Sequence, residues 1–159
     1  MTFSVISYGF YSSASQGMWN KGETVKKQRS KTESIKILLI DDNRFFLESL
    51  SFILNMKKDM EVIETSDTAR GAFELIEQSK PDVVILDLML PDMDGITLLE
   101  KIKEKYPDLS VIILTMHEGY QKQALHRGAF AYHVKGEPLD TLYDNIRRAC
   151  PSWPERSGS

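Results

Sequence analysis

Short apolar runs alternate with amphipathic stretches along most of this chain. Residues 35–40 (Ile-Lys-Ile-Leu-Leu-Ile), 60–64, 83–86, 111–114 and 130–134 (Phe-Ala-Tyr-His-Val) are each four to six residues long, and the first, third and fourth are rich in Val, Ile and Leu. The runs at 83–86 and 111–114 are wholly apolar, which suits strands buried on both faces. Between the strands the period changes to that of a helix. From Asn43, the residues Phe46, Leu50 and Ile53 fall on one face. Ser66 or Asp67 can cap a second helix that turns Ala69, Ala72, Phe73 and Ile76 inward. A third helix over 95–106 puts Ile96, Leu99, Ile102 and Tyr106 in phase, and Pro107 ends it. A shorter one over 120–127 has Gly128 placed for the left-handed residue after its end. Pro138 suits the first turn of a last helix, with Leu139, Leu142, Ile146 and Ala149 as its stripe. Pro151 and Pro154 stop it.

Strand and helix thus alternate five times, which implies an α/β fold with a parallel sheet and right-handed crossovers. The expected architecture is a flavodoxin-like (βα)5 three-layer sandwich with strand order 2-1-3-4-5, rather than the longer six-stranded dinucleotide fold. The chain has 159 residues, 42% hydrophobic and 27% charged, which suits one globular domain. No apolar stretch is long enough to span a membrane, and no basic start followed by an apolar run marks a secretory signal.

Charge is unevenly spread. Residues 1–20 carry none, whereas six basic and two acidic residues over 21–36 give +4. The chain's net −3 therefore leaves −7 on the rest. Residues 1–34 show no sustained period and read as a mobile basic extension, 35–149 as the folded domain and 150–159 as a short tail. The single cysteine, Cys150, excludes an internal disulfide or a multi-cysteine zinc site and fits a reducing cytoplasm. His117, His126 and His133 lack metal-site spacing and read as surface or packing residues.

Candidate chemistry gathers where the strands end. The first runs into Asp41 and Asp42, the third into Asp87, the fourth into Thr115 and the fifth into Lys135. In a parallel sheet these ends share one edge, where open α/β folds place their sites. Taken alone, Asp87 reads equally as a residue capping the turn with Pro91 and Gly95. Taken together, three carboxylates repel one another by about 4 kcal/mol per pair at about 4 Å and an effective dielectric near 20. Protons or a cation must relieve that. An all-oxygen cluster favours a hard cation such as Mg²⁺, and Lys135 and Thr115 supply a positive charge and a hydroxyl suited to phosphoryl oxygens.

The pieces Asp41-Asp42, Asp87-Leu-Met-Leu-Pro-Asp-Met-Asp-Gly95, Leu114-Thr115 and Tyr132-His-Val-Lys135 stand in order and spacing. Over 35–149 the chain resembles the receiver domain of two-component response regulators. The resemblance implies Asp87 as phospho-acceptor and Mg²⁺ held by Asp42, Asp87 and the backbone carbonyl of Met89, with Asp41 acting through coordinated water. It further implies phosphoryl contacts from Thr115 and Lys135, and Tyr132 as an aromatic switch working with Thr115. Met89 and His117 stand where residues tune dephosphorylation in the family. The implied partner is a sensor histidine kinase or phosphotransfer protein. Family members promote their own phosphorylation and dephosphorylation and are not otherwise enzymes.

The stretches 114–117 and 128–135 resemble the NarL/FixJ branch, which carries a DNA-binding domain after a linker. No such domain follows here, so the chain reads as a stand-alone receiver or as a fragment of such a regulator. Gly136 departs from the proline common after the lysine, so the cis Lys-Pro peptide of many relatives is absent. Haloacid-dehalogenase-like phosphatases need a second Asp two residues after the nucleophile, where this chain has Met89. No GxGxxG or GxxxxGK[ST] follows a strand, which disfavours a nucleotide module. Output is expected through a homodimer or a protein partner on the 119–149 face. Its expected contacts are Tyr120, Lys122, Gln123 and Arg127 with Asp140, Tyr143, Asp144 and Arg147. DNA is not an expected partner of this chain alone, since the acidic domain would repel it.

Overall fold

The structure, a computed structural model, describes residues 33–150. The expected extension before residue 33 and the tail with its two prolines lie outside the described residues. Within them the elements run β1 (Ile35–Ile40), α1 (Arg44–Asn55), β2 (Met60–Ser66), α2 (Ala69–Ser79), β3 (Val83–Leu86), α3 (Gly95–Lys105), β4 (Ser110–Thr115), α4 (Gln121–His126), β5 (Ala131–Val134) and α5 (Leu139–Ala149). All neighbouring strands are parallel, in the order β2-β1-β3-β4-β5, as expected. At the outer β2 edge the register with β1 shifts: Ile37 faces Val62 and Leu38 faces Glu64, so Ile63 is skipped.

The period-2 geometry of a strand sends alternate residues to opposite faces. Ile37, Leu39, Val83, Ile85, Ile112 and Leu114 join one core with Leu47, Leu50 and Leu54 of α1 and Leu142 and Ile146 of α5. Leu38, Ile40, Val84, Leu86, Val111 and Ile113 join the other with Ala72 and Ile76 of α2, Leu99 and Ile102 of α3 and Ala124 of α4. Residues 37–40, 83–86 and 111–114 of the three central strands are therefore apolar without alternation because both faces are covered. Burying one such Leu or Ile stabilises the fold by about 1.5–3 kcal/mol.

Helix starts follow local chemistry. The side chain of Asn43 accepts from Phe46 N–H, that of Thr68 from Gly71 N–H and that of Asp94 from Thr97 N–H. Two expectations are corrected here. The α1 stripe is Leu47, Leu50 and Leu54, with Phe46 and Ile53 half-buried at its margins. This helix is apolar around most of its circumference, so period alone does not select the face. The α2 cap is Thr68, not Ser66 or Asp67, because Ser66 still pairs with Ile40 in the sheet. Asp67 instead meets Arg44 at 2.9 Å. The third helix closes at Lys105, and the fourth is six residues with Gly128 at φ +100° beyond it. Pro138 sits just before α5 as its cap residue, and Phe130 precedes β5. No helix among the described residues is long and apolar enough to cross a membrane.

Candidate functional site

Backbone geometry delivers the chemistry to one edge. The strand β1 ends at Ile40, β3 at Leu86, β4 at Thr115 and β5 at Val134, so the next residues emerge side by side. Asp41 is 3% exposed, Asp87 6% and Thr115 0%, while Asp42 is exposed. Lys135 reaches across them: its Nζ lies 2.5 Å from Asp41 Oδ2 and 3.2 Å from Asp87 Oδ2. The same ammonium stands 4.1 Å over the Phe46 ring, an attraction between cation and π-face that keeps it low in the cleft.

Asp41 Oδ1 accepts from Asn43 N–H at 2.9 Å, so both of its oxygens are engaged. Burial nonetheless pushes its carboxyl above the usual aspartate range, with Asp87 adding repulsion and Lys135 and the Asn43 amide opposing it. Met89 N–H points to Asp87 Oδ1 at 3.4 Å, and Met89 forms an antiparallel bridge with Asp94 that closes the loop. Carboxylate oxygens of Asp41, Asp42 and Asp87 lie within 4.8 Å of one another. One ammonium against three carboxylates leaves two negative charges. That charge and the all-oxygen donor set fit a hard divalent cation such as Mg²⁺.

The expected switch pair meets at one residue, His117. Thr115 Oγ1 accepts from His117 N–H at 3.4 Å, and the Tyr132 hydroxyl donates to His117 C=O. Tyr132 is half-buried, and burial raises its phenol above the usual tyrosine range.

Two residues not singled out from the sequence hold the loop that follows Asp87. Asp92 Oδ1 accepts from Ala69 N–H at 2.8 Å and Oδ2 from Arg70 N–H at 3.0 Å, fastening the loop to the start of α2. These bonds hold the Asp92 carboxyl below its usual range, the Ala69 amide contributing most. No local pattern announces so distant a pairing. Asp94 caps α3, and an Asp just before Gly95 was a readable signal for it. Gly95 is then fixed by space, for a Cβ there would stand 2.4 Å from Leu88 Cα and 2.8 Å from Asp87 O.

The expected contact face is narrower than its charges suggested. Arg127 is paired with Glu100 of α3, and Arg147 with buried Asp59 at 2.7 Å. Tyr143 is 7% exposed, with Lys57 over its ring at 4.3 Å. Tyr120, Lys122, Gln123, Asp140 and Asp144 stay exposed.

Comparison with known proteins gives this edge a context. A family model described as the response regulator receiver domain matches residues 37–147. The transcriptional regulatory protein DegU of Brevibacillus brevis is 32% identical over 115 residues, covering 71% of this chain and 49% of that protein. The oxygen regulatory protein NreC of Staphylococcus carnosus is 36% identical over 116 residues, covering 71% and 54%. The chain thus spans about half the length of the curated relatives it matches. Among solved structures, the CheX-CheY-BeF3-Mg+2 complex from Borrelia burgdorferi aligns with TM-score 0.67 and 26% identity over 73% of this chain and 89% of that one. A sheet of order 2-1-3-4-5, an acidic edge crossed by one lysine and a family match over 37–147 lead to one conclusion: the chain belongs to the response regulator receiver domain family.

Proposed function

We propose that Asp87 accepts a phosphoryl group from a histidine kinase or phosphotransfer protein, in a domain spanning 35–149. The observation that carries this reading is Lys135 held 3.2 Å from Asp87 and 2.5 Å from Asp41, beside the buried Thr115 hydroxyl. An Asp87 oxygen attacks phosphorus, the phosphorus–nitrogen bond of the donor breaks, and the leaving imidazole takes a proton from solvent. Lys135 and Thr115 meet the phosphoryl oxygens. Asp41, Asp42, Asp87 and the Met89 carbonyl would hold Mg²⁺, which supplies charge neutralisation between carboxylate and phosphoryl oxygens. The BeF3 and Mg of the Borrelia relative support the same chemistry here. The domain promotes its own phosphorylation and dephosphorylation without turning over other substrates.

When Thr115 swings to the phosphoryl group it releases His117 N–H, which frees the residue whose C=O Tyr132 holds. The 119–149 face then changes what it binds, a second copy or a downstream protein in the cytoplasm, without DNA contact by this chain itself. A second reading, the receiver part of a NarL/FixJ-type regulator, is favoured by the half-length match to DegU and NreC. Incubation with acetyl phosphate and Mg²⁺ tests the core reading. One acid-labile phosphoryl group is expected on Asp87, lost in Asp87→Asn and weakened in Asp42→Ala. Labelling that persists in the Asn variant, or proceeds without divalent cation, sinks the assignment.

A further inference from the structure

The loop after Asp87 is fixed at its base by its own contacts and at its tip by another helix. At the base, Met89 bridges Asp94, Gly95 N–H donates to Leu88 C=O at 2.9 Å, and Asp94 caps α3. Between the bridged residues run Leu90, Pro91, Asp92 and Met93, with Leu90 and Met93 half-buried against the core under α2 and α3. Among the described residues, the side-chain hydrogen bonds that join this tip to another element are the two accepted by Asp92.

Helix α2 has a cap of its own and does not need Asp92 to begin. Thr68 Oγ1 accepts from Gly71 N–H at 3.1 Å, and Thr68 C=O accepts from Ala72 N–H at 3.1 Å. The remaining first-turn amides, those of Ala69 and Arg70, each take one oxygen of Asp92. A two-point grip of this kind fixes the orientation of the loop tip as well as its distance. The tip in turn leads back to the site. The bridge between Met89 and Asp94 makes base and tip one unit, so a tip that leaves α2 carries Met89 with it. Met89 N–H points to Asp87 Oδ1, and Met89 C=O is the backbone group that would hold the cation.

We infer that Asp92 is a positioning residue for phosphorylation, a role that rests on Asp87 being the phospho-acceptor. By gripping the first amides of α2 it holds Met89 where its N–H steadies the Asp87 carboxylate and its C=O can join the cation. The start of α2 is thereby part of the apparatus of the site.

The test compares the ¹⁵N-labelled full chain with Asp92→Ala, Asp92→Asn, Thr68→Ala and Glu74→Gln. Thr68→Ala removes the cap that belongs to α2 itself. Glu74→Gln removes one negative charge from the groove that Glu74 and Asp92 both line, without touching either bond. In metal-free buffer the Met89 amide should exchange with solvent about fivefold faster in Asp92→Ala than in the parent. Mg²⁺, followed by the amide shifts of Asp87 and Met89, should bind about fivefold more weakly. Asp92→Asn keeps one acceptor oxygen and should fall between the two. Thr68→Ala and Glu74→Gln should stay within about twofold of the parent in both measurements. With acetyl phosphate, the Mg²⁺ needed for half the limiting rate should rise in Asp92→Ala by more than the limiting rate falls. Exchange and Mg²⁺ affinity that match the parent in Asp92→Ala overturn the inference. A loss equalled by Thr68→Ala makes Asp92 a helix cap only, and one equalled by Glu74→Gln makes it a charge only; either overturns it too. So does a fall in limiting rate at unchanged Mg²⁺ dependence. A parent chain that binds no Mg²⁺ and takes no phosphoryl group sinks the phospho-acceptor reading, and this role with it.

Discussion

At the scale of single residues, Lys135 decides how the site rests before phosphorylation. It is the counter-ion for two nearly buried carboxylates, so its removal leaves them facing each other. Lys135→Met should cost on the order of 3 kcal/mol in metal-free buffer, and Mg²⁺ should recover more stability in the variant than in the parent. Urea unfolding with and without MgCl₂ measures both; an equal gain in the two proteins would refute this role. Asp92 has the opposite electrostatic character. Its folded pKa lies below the ordinary aspartate value of about 3.9, so it contributes stability that is present above that value. That stability is lost as pH falls through the folded pKa. The gap between the parent and Asp92→Ala should therefore be full near neutrality and close only in strong acid. A gap that widens on acidification would show the sign to be wrong. The site residues were legible because each immediately follows or ends an apolar run, which fixes it to the sheet edge whatever the helices do. Asp92 was not, because its partners lie 22 and 23 positions away in sequence and the pairing exists only once α2 is packed.

At the scale of elements, the strands were readable almost to the residue, since continuous Val/Ile/Leu runs have few other places to go in a doubly covered sheet. Helix details were less so. With seven apolar residues in α1 (Phe45, Phe46, Leu47, Leu50, Phe52, Ile53 and Leu54), two neighbouring faces satisfy the pattern, and only the sheet selects Leu47, Leu50 and Leu54. Phe45 and Phe52 remain 79% and 69% exposed. The start of α2 was displaced because pairing of Ser66 with Ile40 outweighs a local cap. At α3 the deciding contact is between helix start and loop. Gly95→Ala drives a methyl into the backbone of Leu88 and Asp87, where no flexible side chain can yield. A loss of roughly 1–3 kcal/mol is expected, with slower phosphorylation of the displaced Asp87. A parental urea midpoint would overturn this reading.

At the scale of the whole molecule, the two faces of the sheet do different work. One core ties α1 to α5, where Arg147 holds the buried Asp59 and Ser110 Oγ donates to Ala149 C=O at 2.8 Å. The other supports α2, α3 and the short α4, next to His117, held at its N–H by Thr115 and at its C=O by Tyr132. Rearrangement is expected on the α4 side, where the helix is only six residues long and no side chain caps its start. Tyr132→Ala should leave phosphorylation of Asp87 nearly intact while removing any beryllofluoride-dependent change in sedimentation. With Arg127 and Arg147 engaged within the chain, a phosphorylation-dependent dimer should be only moderately tighter than the free pair. Coupling that survives in Tyr132→Ala would show that the switch lies elsewhere.

The skipped Ile63 has a consequence for how these molecules meet in crowded solution. A sheet with an exposed outer strand is a template on which another chain can add its own, the route by which folded domains seed fibres. Here that rim is kinked by one surplus residue and carries exposed Glu61 and Glu64 along it. An approaching strand would find its ladder out of step and its side chains opposed by charge. The β2 rim thereby resists growth by strand addition.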